Sequence, residues 1–367
     1  MSSHDQKQIM TASQDCLIIL TPGFPENEED TTCLPFLQDF ICELNESYPH
    51  LKLKIIAFDY PFFSSIYHWK GNEVRSFNGW KKNKFRKLIK WLFIWERLIK
   101  IKRNNHVIGV LSLWCGECAF LGSRFAKISK LAHYCWIQGQ DAKKDNKYVS
   151  RIKPNEEELV AISDYNRIQF ELNHSIRPKY TIPVGIRRVN YSAEMFQKDN
   201  HILGVGSLIQ LKQYHLFIEI LSKVRKNVPE IKAVLSGKGP EENSLKALIK
   251  DYQLGSNIIL TGELPHEKIL LLMKRSKIFL HTSNYEGLSV ACLEALASGC
   301  QIISFLKPMQ NDIEHWHVVQ TQEEMIEKII FILDSDDVTG KSVIPFTMKK
   351  SVQNILALYN YSDARIF

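Results

Sequence analysis

Three side chains carry the chemistry most legible in this chain. Glu286 and Glu294, with seven residues between them, lie in NYEGLSVACLEALASGC (residues 284–300), a run otherwise made of small and apolar residues. A carboxylate buried there without donors would be costly, and ligand hydroxyls would satisfy it without a second charge. Lys212 follows the glycine turn of GVGSLIQLK, where Gly204 and Gly206 relieve the backbone, and Gly237-Lys238-Gly239 repeats the device. An ammonium just ahead of a helix can neutralise a phosphate. Gly287, Leu288 and Ser289 open the helix that carries Glu294, so their N–H groups form an anion site. One arrangement uses every part: Lys212 and the helix start hold a diphosphate, Glu294 accepts from ribose hydroxyls, and Glu286 accepts from a sugar. Taken singly, each glycine turn is more often plain chain reversal and each Glu more often a cap or a salt bridge. As an ordered set they are not. Neither glycine loop has the Walker or G-x-G-x-x-G spacing.

These residues need strand ends to stand on. Short apolar runs at 16–20, 53–58, 106–112, 132–137 and 159–163 alternate with longer helical or loop stretches. After 180–186 the pattern restarts, with runs at 202–207, 232–237, 257–262, 277–283 and 301–305. Continuous apolar strands alternating with helices imply parallel sheets buried on both faces. Two such series predict two Rossmann-like doubly wound α/β domains facing a central cleft, with ligand at the strand carboxyl ends. The joint falls near 184–200, which gives domains 1–186 and 187–345, and a last helix near 346–360 within 346–367 that can pack on either.

Composition sets the outer bounds. A chain of 367 residues, 45% hydrophobic and 24% charged, is globular and long enough for two cores. No run of eighteen uncharged apolar residues supports a spanning helix. The first fifteen residues lack a signal-peptide layout, and eight scattered cysteines read as reduced thiols, so a cytoplasmic location is expected. The +7 charge concentrates in residues 81–103, which hold ten Lys or Arg and one Glu. Wound as a helix, Phe85, Leu88, Ile89, Leu92, Trp95 and Ile99 share one face, and Lys82, Arg86, Lys90, Arg97 and Lys100 the other. Two readings stand open: a core-packed helix with a solvated basic face, or a peripheral helix docked on an anionic membrane at its inner face. No nucleic-acid module is present, so nucleic acid is not an expected partner.

Residues 202–305 resemble the retaining nucleotide-sugar glycosyltransferases of the GT-B fold, family 4. The resemblance rests on GVGSLIQLK, on the Glu286-x7-Glu294 element and on its trailing EALASG. LTPGFP, WIQGQD and LVAISDYNRIQF resemble more weakly the opening loop, the H-G-x-D element and a strand end of the first half. The resemblance implies hexosyl transfer from a UDP- or GDP-sugar to a glycan or lipid-linked acceptor. It implies retention of configuration and neither metal nor cofactor. It places Glu286, Lys212 and Gln138 in catalysis. It places Gly206, Ser207, Lys212, Gly237, Lys238, Glu286, Gly287, Leu288, Ser289 and Glu294 on the donor. Gly23, Phe24, Gln138, Gly139 and Asp141 fall on the acceptor side. Ser207 stands where many relatives have Arg, with Lys238 or Arg187 as candidate substitutes, and Gln138 where they have His. The loop around Glu26, Glu28, Glu29 and Asp30 replaces a glycine pair and reads as a solvated acidic loop, or as a source of acceptor contacts or a general base. Two other functions fit the same architecture: a nucleotide-sugar epimerase, and a catalytically silent nucleotide-sugar binder. Cys115-x-x-Cys118 and the pair His315 and His317 lack the further ligands a metal site needs. Asp164 is expected to cap the helix it opens, or to face the cleft.

Overall fold

The computed structural model describes residues 14–79, 83–188, 196–335 and 340–361. The first half carries strands β1 (Asp15–Gly23), β2 (Lys52–Tyr60), β3 (Ile66–Trp69), β4 (Asn72–Ser76), β5 (His106–Leu113), β6 (Ala132–Ile137), β7 (Leu159–Ala161) and β8 (Tyr180–Thr181). Its helices are α1 (Pro35–Ser47), α2 (Lys84–Asn104), α3 (Glu117–Ser129), α4 (Lys147–Ile152) and α5 (Asp164–His174). The second half has β9 (Asn200–Val205), β10 (Ala233–Ser236), β11 (Ile258–Gly262), β12 (Ser276–His281), β13 (Gln301–Ser304) and β14 (Trp316–Val318). Its helices are α6 (Tyr214–Val224), α7 (Glu242–Asp251), α8 (His266–Lys274), α9 (Val290–Ala297), α10 (Gln322–Asp334) and α11 (Met348–Ala357).

The first sheet has the order β3-β4-β2-β1-β5-β6-β7-β8, with only β3 antiparallel to its neighbour. The second, β11-β10-β9-β12-β13-β14, is parallel throughout. Residues 16–20 and 202–204 are buried at every position, because helices cover both faces of a parallel sheet and leave no strand face for water. In each sheet the chain builds outward on one side and then crosses over. The resulting switch points lie between β1 and β5, and between β9 and β12, where a crevice opens beyond the carboxyl ends.

The last helix, α11, returns to lie against α1 of the first half. Beyond it, the Tyr359 hydroxyl donates to the Val110 carbonyl at 2.9 Å. The halves also meet at the cleft: Ser163 donates to the Gly287 carbonyl, and Asp164 accepts from the Gln310 N–H at 3.0 Å. Ser163, not Asp164, caps α5, accepting from the Asn166 N–H. Asp164 thus reaches across the cleft.

Helix α2 is turned differently from the sequence expectation. Ile94, Leu98 and Ile101 form its core face, while Phe85, Leu88, Leu92 and Ile99 point outward. Lys90 and Arg97, expected in solvent, turn inward to Asp59 and Glu117 and to Glu73. Those acids on facing elements fix the rotation, since a half-buried cation is stable only beside its counter-charge. Lys81 and Lys82, and 189–195 of the expected joint, lie outside the described residues.

Candidate functional site

The second switch point gathers most of the singled-out residues. Lys212 ends a single 3₁₀ turn that follows β9, and its carbonyl accepts from the Thr282 hydroxyl beyond β12 at 2.8 Å. This tie brings the Lys212 ammonium onto the Glu286 carboxylate. His281, the last residue of β12, sits behind with Nε2 3.8 Å from the same carboxylate. Burial alone would raise the Glu286 carboxyl, but His281 and Lys212 outweigh it and hold it down at about 2. Burial also lowers the pKa of His281, against the pull of Glu286, and so favours the neutral imidazole.

Helix α9 points its N-terminus at this group. Ser289 caps it, accepting from the Cys292 N–H at 3.3 Å, and Gly299 in the left-handed region ends it. One side-chain cap leaves other N–H groups of the first turn available to an anion. Glu294 is buried within α9 and accepts from His266 Nε2 at 2.7 Å. Burial pulls the His266 pKa down, but Glu294 outweighs it and raises it. A cavity of about 270 Å³ joins Gly206, Ser207, Lys238, His266 and Glu294, with Thr31 and Pro35 of the first half on its other wall. Gly237, at φ 152°, also lines it, and a Cβ there would collide with the Gly206 carbonyl.

Ser207 and Lys238 are both exposed at this cavity, so Lys238 is placed as a second cation. Arg187 is not: it pairs with Glu43 and Glu46 on α1. Leu288 is buried, so only its backbone is available.

On the opposite wall, Gly139 packs directly on Gly287, and the Tyr285 hydroxyl donates to the Gly139 carbonyl at 3.1 Å. Gln138 turns its amide back to the Trp136 carbonyl at 3.3 Å. Asp141 is a structural anchor, accepting from the N–H groups of Cys115, Gln138 and Gly139. Phe24 is fully buried, edge-on to Trp69, and Gly23 accepts from Thr21 at 2.7 Å. Of these residues, Gly139 and the backbone carbonyl of Gln138 lie against the Glu286 loop at Gly287. In the acidic loop, Asp30 accepts from Thr32, Cys33 and the Tyr60 hydroxyl, and Glu28 pairs with Lys70. Glu26, Glu28 and Glu29 are exposed, as a solvated acidic loop requires, and Tyr60 and Lys70 brace the loop from neighbouring elements.

His266 and His281 were not singled out in the sequence. His281 had a usable signal, as the polar last residue of an apolar strand beside the Glu286 loop. His266 had none, because its pairing with Glu294 spans 28 positions. Among the described residues no group of three or more His, Cys, Asp or Glu is placed to hold a metal ion.

Residues 191–341 match the family described as Glycosyl transferases group 1. That match covers 151 of the chain's 367 residues. A 177-residue alignment, covering 44% of this chain, is 24% identical to the alpha-monoglucosyldiacylglycerol synthase of Streptococcus pneumoniae and spans 38% of that protein. The chain thus matches well under half the length of this curated relative. TarM aligns over 96% of this chain and 99% of its own, with TM-score 0.70 and 14% identity. The Anabaena HepE complex with UDP-glucose aligns over 94% of this chain and 97% of its own, with TM-score 0.63 and 14% identity. The fold is GT-B, two Rossmann-like domains across a cleft.

Proposed function

We propose that the protein transfers a hexosyl group from a nucleotide-sugar donor to an acceptor hydroxyl, without a metal and with retention of configuration. The observation that carries this is the Lys212–Glu286 pair set against the N-terminus of α9 at the β9/β12 switch point. In this reading the donor diphosphate takes Lys212 away from Glu286 and lies against the first turn of α9. Glu286, freed from the ammonium, accepts from sugar hydroxyls, and Glu294 accepts from the ribose beside His266. The bond from the anomeric carbon to the leaving phosphate oxygen breaks as the acceptor oxygen bonds the same face. The acceptor proton passes to that phosphate oxygen, so the products are a glycoside and a nucleoside diphosphate. Lys212, Lys238 and the helix dipole stabilise the charge that grows on the leaving group.

Nucleotide-sugar candidates incubated with wild type and Glu286→Ala, with and without an acceptor panel, test this. Transfer that falls steeply in the variant supports the assignment, and undiminished transfer refutes it. Conversion of donor without acceptor would mean an epimerase, and binding without any turnover a silent binder.

We also propose that the protein works as a peripheral enzyme on the cytoplasmic face of an anionic membrane. Phe85, Leu88, Leu92, Phe93 and Ile99 of α2 are 52% to 69% exposed. Phe85 to Ile99 spans roughly 21 Å at 1.5 Å per residue. Among the described residues Arg86, Lys100 and Arg103 on the same helix pair with no carboxylate, which suits anionic headgroups. No described helix is long and apolar enough to cross a membrane.

A further inference from the structure

His281 has no task in the transfer just described, and its surroundings call for one. The side chain ends β12 and is 6% exposed, yet neither ring nitrogen has a hydrogen-bond partner among the described residues. A neutral imidazole carries one N–H, so a donor is buried unmet, and buried polar groups are nearly always paired. Nε2 lies 3.8 Å from Oε2 of Glu286, just beyond hydrogen-bond reach. Oε2 is also the oxygen that the Lys212 ammonium occupies. Ammonium and imidazole therefore address one atom, and in the free protein the ammonium holds it.

Filling the cleft upsets this balance. The diphosphate of a nucleotide sugar brings negative charge into the site and draws Lys212 off Glu286. Glu286 then faces a more negative pocket with its counter-charge gone, and a half-buried carboxylate in that position is costly. Tyr214 of α6, Tyr285 of the loop and Cys292 of α9 also lie near it, but burial raises all three, so they keep their protons and supply no charge. Ser304, beside His281 on β13, does not titrate. Lys238 is exposed and is committed to the phosphates when the donor is bound. His281 remains. Burial and Lys212 lower its pKa and Glu286 raises it, so withdrawing Lys212 and adding phosphate charge both push it up. A movement of about 1 Å brings Nε2 within charge-assisted hydrogen-bond range of Oε2.

We propose that His281 is the positioning residue for Glu286: it takes over Oε2 when the donor draws Lys212 away, and it binds one proton from solvent as it does so. Oε1 is then left to accept from the sugar hydroxyl, and the carboxylate stays anchored throughout. When the nucleoside diphosphate leaves, Lys212 returns to Oε2 and the proton goes back to solvent. No covalent bond changes, and one proton enters and leaves per turnover. Because donor and proton bind together, donor affinity falls as pH rises through the histidine value of the filled site, by at most about tenfold per pH unit. The inference rests on the donor reading for what displaces Lys212, but the competition of Lys212 and His281 for Glu286 stands apart from it.

Two measurements on the full chain test this. Histidine-selective NMR titration compares free wild type with Lys212→Met, the His281 resonance being identified by its loss in His281→Gln or His281→Asn. That ring is expected to titrate about one pH unit or more higher in Lys212→Met, with no ligand present. Calorimetry then titrates UDP-glucose, with GDP-mannose in parallel, in PIPES and in Tris near neutral pH. Neither sugar nucleotide titrates near neutrality, so a buffer-dependent heat counts protons taken up by the protein. Uptake approaching one proton is expected in wild type and none in His281→Gln, whose amide can donate to Glu286 but cannot gain a proton. An unmoved resonance in Lys212→Met, or binding without a proton uptake that depends on His281, overturns the inference and leaves the donor reading standing. A moved resonance with neither sugar nucleotide bound would instead sink the donor reading while supporting the exchange at Glu286.

Discussion

Gly287→Ala is the sharpest single perturbation, because its size follows from geometry. A Cβ at Gly287 would meet the Gln138 carbonyl oxygen and lie 2.7 Å from Gly139 Cα. Ordinary contact begins at 3.4 Å, so the loop of Glu286 and the Gln138-Gly139 loop must part by at least about 0.7 Å. Neither neighbour is a flexible side-chain end, and both ride on strands of different halves, so the displacement moves one cleft wall against the other. Overpacking of this kind costs about 1–3 kcal/mol. A misplacement near 1 Å at reacting groups costs roughly 10²-fold in rate. The expected outcome is a modest loss of thermal stability, a kcat lower by about two orders of magnitude, and nucleotide affinity within a few-fold of wild type. Donor binding is expected to survive because Lys212, His266 and Glu294 lie away from the collision. The assays are a melting curve, nucleotide titration and single-turnover transfer. Wild-type kcat in a folded Gly287→Ala protein would refute the claim that the two loops must touch for turnover.

Three further outcomes follow from the same site and from α2. Lys212→Met is expected to lower kcat by ~10²–10³, the usual effect of removing one stabilising donor from a developing anion. It also releases the Glu286 carboxyl from about 2 toward its ordinary range. The depressed pKa means Glu286 stabilises the fold above its unfolded value and loses that contribution as pH falls toward 2, so Lys212→Met should soften acid unfolding at its low-pH limb. The His266 pKa is raised by Glu294, so this pair stabilises the fold fully below the unfolded histidine value and loses its effect as pH rises through the folded one. Melting temperature against pH is expected to fall over that window in wild type and to flatten in His266→Gln; an unchanged slope would argue against the pair. Leu88→Lys combined with Leu92→Lys is expected to abolish sedimentation with anionic vesicles at low salt while leaving the melting temperature close to wild type, since both side chains are exposed. Retained sedimentation would end the membrane assignment.

The cluster around Glu286 was the most legible part, because it is local. Glu286, Gly287, Ser289 and Glu294 lie within one strand-loop-helix unit, and helical spacing is enough to bring them together. The parallel sheets were legible for a similar reason, since burial on both faces writes an unbroken apolar run into each strand. The partners of those groups were not. Lys212 meets Glu286 only because β9 and β12 are neighbours across the crossover, and Glu294 meets His266 because α8 packs beside α9; strand order and helix neighbours leave no periodic trace in the chain. The acceptor side shows the limit more plainly: Asp141 reads as a cleft residue, yet three backbone N–H groups occupy it. Helix α2 shows it most clearly. Its sequence is apolar on two opposite faces, so helical periodicity alone permits either to be the core. Asp59, Glu73 and Glu117, brought up by other elements, settle the rotation by drawing Lys90 and Arg97 inward. The sequence thus determined which residues could do chemistry, through local spacing and burial cost. Tertiary structure decided which of them meet, because long-range pairing depends on strand order and helix rotation.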